Sequence, residues 1–215
     1  MELGKEGYQK GIDRMKEHTI ITLSRQYGSG GREVCLWLSR ILNIPYFDRE
    51  ILLDAAAKSN IEEIDYKTLN DSSYKTNRVT FGVETFYPRE AAQVSDNHQM
   101  FLHQSAVIKR IAKEGSAIFL GRCSDFLLKD YPDTFSFYTC ADDEYREMRA
   151  REKYNGMTLK KLDKIDKKRR VYYQKYTGRE MGNPENYDMI LNMGKMTARE
   201  AAELIISYIE YQQKG

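Results

Sequence analysis

Six consecutive residues, Gly28, Ser29, Gly30, Gly31, Arg32 and Glu33, carry the densest chemical signal in the chain. Three glycines in four positions permit positive φ and let backbone amides turn onto a bound anion. Apolar Ile20, Ile21 and Leu23 precede the run; Val34, Leu38, Ile41 and Leu42 follow at helical spacing, with Cys35 alongside. A strand feeding a glycine turn that opens a helix can cradle phosphate, because the amides and the helix dipole both favour negative charge. The common pattern G-x-x-x-x-G-K-[ST], aligned on Gly31, is met only in part. Gln26 stands where the first glycine belongs, Arg32 where the lysine belongs, and Glu33 where a magnesium-binding hydroxyl is expected. Arginine preserves the charge and grips phosphate oxygens with a different geometry. The same turn also serves as a tight strand-to-helix connection, so the loop alone leaves both readings open.

Further candidates recur at strand ends. Gly121-Arg122 follows the apolar run Ala117 to Leu120, and an arginine placed there approaches a phosphate closely or forms a surface ion pair. Asp48 closes a second strand, as a ligand contact or as the N-cap of a helix beginning near Glu50. From Tyr145 to Glu180, 13 Lys and Arg stand against 5 Asp and Glu, in a chain whose formal net charge is only +2. A charge run of this kind is usually a solvated helical face. Within it Asp166 and Arg169 lie one helical turn apart, with Arg170 adjacent. Arg146 and Arg149, on the preceding helix, could reach phosphates at the glycine loop. Tyr172, Tyr173 and Tyr176 read as packing residues first and base-stacking residues second. The 3 histidines have no metal-ligand spacing and the 3 cysteines no CxxC pairing, so no protein metal site is expected.

The elements that must position these residues read as an α/β chain. A helix is expected from Phe101 to Lys113, closed by Gly115, with strands at Ala117–Leu120, around Phe135–Tyr138 and at Tyr187–Leu191. Thr197 and Glu200 form a capping box for a closing helix that buries Ala201, Leu204, Ile205, Tyr208 and Ile209. Strands alternating with helices imply right-handed crossovers and a parallel sheet. At 215 residues, 41% hydrophobic and 31% charged, the chain suits one domain. No apolar run approaches the roughly 18 residues of a membrane span. A reduced, cytoplasmic setting is the expectation.

The wording ITLSRQYGSGGREV, with IPYFDREIL after it, resembles the opening of the cytidylate kinase-like family, a divergent branch of the P-loop nucleoside monophosphate kinases. AIFLGRCSDFLL, FSFYTCADDEYREMRARE and the stretch from DKKRRVYYQKYTGRE to the end agree. The resemblance runs from Thr19 to Ile209, is weakest between Asn60 and Val94, and includes arginine and glutamate after the glycines. It implies a P-loop NTPase-type three-layer fold, with about five parallel strands flanked by helices. Residues 1–18 would be an extension, and 19–215 one domain, with an acceptor-binding insert near 50–114 and a basic lid near 150–180. It implies transfer of phosphate from ATP, with Mg2+, to a nucleoside monophosphate, CMP or dCMP first. Gly28, Ser29, Gly30, Gly31, Arg32, Glu33, Arg146 and Arg149 would serve the donor; Asp48, Arg122, Asp125, Asp166, Arg169 and Arg170 the acceptor. Arg32, Arg122 and Arg169 would be catalytic. Cys123 stands where better-known bacterial members have aspartate, and Leu162 where they have arginine, with Lys161 or Lys164 as substitutes. Small-molecule nucleotides are the expected partners of a monomer or homodimer, with no nucleic acid and no membrane. The alternatives are a nucleotide- or phosphometabolite-binding sensor, a kinase of another small acceptor and, last, an RNA-binding protein.

Overall fold

The computed structural model describes residues 18–49, 52 and 93–214. The expected extension apart from His18, and most of the expected acceptor-binding insert, lie outside the described residues. In chain order the elements begin with β1 (Ile20–Arg25), α1 (Gly31–Leu42), β2 (Tyr46–Phe47) and α2 (Gln93–Glu114). They continue with β3 (Ala117–Leu120), α3 (Ser124–Leu127), β4 (Thr134–Cys140) and α4 (Asp143–Lys153). The chain closes with α5 (Leu159–Thr177), β5 (Met189–Asn192) and α6 (Ala198–Lys214). Helix α2 starts eight residues before the sequence suggests, because its first turns are polar and carry no apolar period.

All described strands are parallel, in the order β2-β3-β1-β4-β5. Central β1 explains why its sequence is a continuous apolar run. Alternate residues point to opposite faces of the sheet, and both faces are covered. Ile21 and Leu23 join Val34, Leu38, Ile205 and Ile209 beneath α1 and α6. Ile20 instead packs with Phe119, Val107, Ile108 and Leu128 on the α2 side. Strand β3 divides in the same way, Ile118 and Leu120 to the first core, Ala117 and Phe119 to the second. The capping box forms as expected: Glu200 N donates to Thr197 Oγ1 at 3.2 Å, and Thr197 N donates to a Glu200 carboxylate oxygen at 2.8 Å. Among the described residues no helix is long and apolar enough to cross a membrane.

Parallel strands deliver all their carboxyl ends to one edge, where ligands bind in open α/β sheets. The loop after β1, the Gly121-Arg122 turn after β3 and the entry to α4 after β4 therefore meet. Close packing fixes that edge. A Cβ at Gly31 would stand 2.7 Å from Thr139 Oγ1 on β4, itself bonded to Ser29 Oγ at 2.9 Å. Gly31→Ala is therefore expected to cost about 1–3 kcal/mol, read as a lower urea midpoint. Gly115→Ala, where a Cβ meets nothing within 4 Å, should stay within about 0.5 kcal/mol of wild type.

Candidate functional site

The glycine loop leaves β1 at Arg25 and turns with Gly28 at φ +86° and Gly30 at φ +91°, values that favour glycine. No side chain caps α1, which opens at Gly31. The N-terminus of a helix without a side-chain cap is a ready anion site. Within the loop, Ser29 Oγ donates to the Gln26 carbonyl at 2.8 Å, and Gln26 Oε1 accepts from Ala141 N at 3.1 Å. The Ser29 hydroxyl is thus committed inside the loop, and its amide also donates to the Gln26 carbonyl, at 3.3 Å.

Tyr27 is gripped from outside the loop. Its amide donates to Asp166 Oδ1 at 2.7 Å and its carbonyl accepts from Arg146 Nε at 3.0 Å. Arg146 also meets Asp143, Asp163 and Asp166 at 3.0, 2.9 and 3.0 Å. Two residues expected at the phosphates are thus engaged within the protein. Arg146, expected to serve the donor, is 2% exposed and has its guanidinium occupied by three carboxylates and the Tyr27 carbonyl. Asp166, expected to serve the acceptor, is 4% exposed and turns inward to anchor the loop. Burial raises the Asp166 carboxyl above its ordinary value, against the pull of the Tyr27 amide and the neighbouring arginines.

On one side of the loop, Arg149 pairs with Glu33 and lies beside Gly30, its Cζ 3.5 Å from where a Cβ would stand. Burial pulls the Arg149 pKa down, but Glu33 outweighs it and the net shift is upward. The second Glu33 oxygen, Oε2, is buried without a hydrogen-bond partner. Arg32 points elsewhere: Nε donates to Tyr46 Oη at 3.2 Å and Nη2 pairs with Asp48 Oδ2 at 3.3 Å. Tyr46 Oη also donates to Asp48 Oδ2 at 2.6 Å. The residue at the lysine position is therefore linked to the end of β2.

Three arginines come together beyond the carboxyl ends of β1 and β3, one of them from α5. Arg122, at φ +62°, lays its guanidinium over the Tyr172 ring at 5.2 Å and donates to Gln104 Oε1 at 3.5 Å. Arg169 covers the Tyr27 ring at 4.7 Å, 3.8 Å from Asp166 Oδ1, and its Nη1 is buried without a hydrogen-bond partner. Arg25, which sequence reasoning missed, reaches over Gly121 so closely that a Cβ there would stand 2.1 Å from its Nη1. Burial, then Arg169 and Arg122, push its pKa down to about 9. Its position at the end of β1, before the glycines, was the available signal. Gln104 was missed too, as one polar residue of a helix, with no signal pointing to it.

Two acceptor candidates lie apart from this cluster. Arg170 is exposed and lines a cleft of about 580 Å³ with Gln26, Tyr138, Glu180 and Asn183. Asp125, the other expected acceptor residue, is only 3% exposed and faces Ser24 and the Tyr173 hydroxyl. The aromatic cluster of Phe101, Tyr172, Tyr173 and Tyr176 packs on itself, as its composition suggests.

A model of the cytidylate kinase-like family matches residues 20–195. Among solved structures, an uncharacterized protein from Eubacterium ventriosum aligns with TM-score 0.70 and 27% identity, over 91% of this chain and 99% of that one. Shikimate kinase from Acinetobacter baumannii, in complex with shikimate, aligns with TM-score 0.53 and 13% identity over 94% and 97%. A gluconokinase from Sinorhizobium meliloti gives 0.54 and 10% over 92% and 94%. These two share the P-loop kinase fold alone. No curated protein matches.

Asp125 supplies a stability test. Burial raises its carboxyl above the ordinary 3.8, so the folded state holds the proton more tightly than the unfolded chain. That contribution is complete below pH 3.8 and is lost as pH rises through the folded value. Asp125→Asn is therefore expected to gain in melting temperature over wild type as pH is raised from about 4 to 7. Thermal melts across that range decide it; a difference independent of pH contradicts the assignment.

Proposed function

This chain belongs to the cytidylate kinase-like family, and from that premise we propose that it moves the γ-phosphoryl group of ATP to a nucleoside monophosphate, CMP or dCMP. One observation carries the reading: an anion-binding loop and an arginine cluster meet at the ends of neighbouring strands β1 and β3. Phosphoryl transfer needs two phosphates aligned, their charge neutralised and water excluded.

The amides of Gly28, Gly30 and Gly31 and the α1 N-terminus hold the donor phosphates, with Arg149 beside them. The unpartnered Glu33 oxygen suits the magnesium that accompanies ATP, which supplies charge neutralisation when bound. Arg122 and Arg169 hold the acceptor phosphate opposite, and Arg32 with Asp48 lines the acceptor side. An acceptor phosphate oxygen bonds to the γ-phosphorus as the bond to the β–γ bridging oxygen breaks; ADP leaves with that electron pair. Position and electrostatics supply the acceleration, without a dedicated protein base. Residues 150–180 act as the lid: Lys160, Lys161, Lys164, Lys167 and Lys168 are exposed on α5, ready to meet phosphate and exclude water on closure. The setting is the reduced cytoplasm, consistent with Cys35, Cys123 and Cys140 all being free thiols.

One feature favours a second reading. With lysine and hydroxyl replaced, and Arg32 tied to Asp48, the same site would serve a nucleotide-binding regulator.

A coupled ADP-release assay with ATP and magnesium, across CMP, dCMP, UMP, AMP, GMP and no acceptor, separates the two. Release dependent on CMP or dCMP is expected, and Arg32→Ala should lower turnover at least about tenfold. Nucleotide binding with no release across the panel would overturn the kinase reading in favour of the regulator.

A further inference from the structure

Helix α5, the loop before β5 and the edge of the sheet enclose the cleft of about 580 Å³, a volume usual for small-molecule sites. Its floor is the sheet face turned away from α1 and α6. Phe137 and Leu191 point into the first core, so their neighbours Tyr138 and Ile190, paired in register, point into the cleft. Ile190 is 37% exposed there, whereas Ile20, Ile118 and Phe119 on β1 and β3 are fully buried. One wall is the loop of residues 180–184, which the protein holds in place. Asn186 Nδ2 donates to the Glu180 carbonyl at 2.8 Å, and Gly182 N donates to Tyr187 Oη at 3.4 Å. Gly182, at φ +90°, lies so close to the Tyr138 ring that a Cβ would stand 3.3 Å from it. Amide donors are left over in this cleft. Gln26 Oε1 accepts from Ala141 N and Asn183 Oδ1 accepts from Glu185 N, both at 3.1 Å. Each amide therefore keeps its NH2 group, which has no hydrogen-bond partner among the described residues. Arg170 adds a guanidinium and Glu180 a carboxylate. Among the described residues neither has an ion-pair partner, and they do not pair with each other.

We infer that this cleft is a second ligand site, for a small zwitterion with an apolar body. Arg170, Gln26 and Asn183 hold its carboxylate, Glu180 its ammonium, and Ile190 and Tyr138 its apolar part. The two protein charges decide the class. A guanidinium and a carboxylate that line one cleft without meeting leave room for a molecule carrying both opposite charges. A phosphorylated ligand would set Glu180 against its own charge, and a purely apolar one would strand the polar groups. A free amino acid and a dipeptide share this chemistry and differ in the separation of their charges. The cleft touches the glycine loop from outside, through Gln26. The Gln26 carbonyl accepts from Ser29 Oγ and its backbone amide donates to the Thr139 carbonyl, each at 2.8 Å. A nucleotide and the zwitterion can therefore be bound together, and the site does not depend on the phosphotransferase reading.

The test uses the full chain and two variants, Arg170→Gln and Glu180→Gln, both at exposed positions. Calorimetric titrations compare leucine, the dipeptide leucyl-leucine, N-acetyl-leucine, which lacks the ammonium, and leucinamide, which lacks the carboxylate. Wild type is expected to bind leucine or leucyl-leucine at least about tenfold more tightly than either capped form. In Arg170→Gln the advantage over leucinamide should vanish while that over N-acetyl-leucine remains; Glu180→Gln should show the reverse. A saturating non-hydrolysable ATP analogue should not displace the zwitterion. Tighter binding of leucine identifies a free amino acid as the ligand, and tighter binding of leucyl-leucine a dipeptide; either upholds the site. Binding of neither, capped forms that bind no more weakly, variants that keep wild-type selectivity, or displacement by the ATP analogue would each overturn the inference.

Discussion

Two hydrogen bonds to Tyr27 hold the site together. Asp166 takes its amide and Arg146 gives to its carbonyl, fixing the glycine loop to α4 and α5. Both side chains are buried and joined at 3.0 Å, so each is the other's counter-ion. A buried pair of this kind adds little net stability, but removing one partner strands a charge and costs about 3–5 kcal/mol. Its value lies in specifying one loop conformation. Arg169 sits one turn along α5 from Asp166, so the helix that fixes the glycine loop also carries a cation that covers the Tyr27 ring. The glycine loop and Arg169 are therefore held by one helix.

Charge is distributed unequally across that element. Beside the loop the ions are paired, Glu33 with Arg149 and Arg32 with Asp48. Beyond the ends of β1 and β3, among the described residues, Arg25 and Arg122 pair with no carboxylate and Arg169 only with Asp166, at 3.8 Å. A formal net charge of +2 conceals this separation, because basic α5 is balanced by acidic residues elsewhere. Crowded like charges oppose folding, and a fold that retains them has donors oriented before a ligand arrives. Such preorganisation costs no rearrangement at the moment of reaction.

Much of this was legible in the sequence, for identifiable reasons. The continuous apolar run of β1, the glycine turn and the Thr197–Glu200 box each follow from local chemistry, and each forms where its residues demand. Arg122 stands just beyond β3, as its sequence position implies, because a strand end is a defined place in a parallel sheet. Side-chain direction was harder to read. Arg146 and Arg149 share a helix and a sign, yet one is buried against Tyr27 and the other lies beside Gly30. Asp125 and Asp166 look like ligand carboxylates by spacing, but the elements packed over them turn both inward. The α5 charge run conceals a buried stripe, Leu162, Asp166, Tyr173 and Tyr176, whose one acidic member is the loop anchor. Gln104 needed tertiary structure altogether, since nothing local separates it from the polar residues around it.

The central claim is that two phosphorylated ligands occupy this edge together, in line. Its most direct measurement is a calorimetric titration with adenosine and cytidine joined by a five-phosphate chain. If the loop and the arginine cluster are donor and acceptor sites, joining the ligands makes the second binding event intramolecular. The account predicts one molecule bound per chain, at least about 100-fold more tightly than ATP or CMP alone. Affinity no greater than that of ATP alone would show that the two sites do not act on one pair of phosphates, and would contradict it.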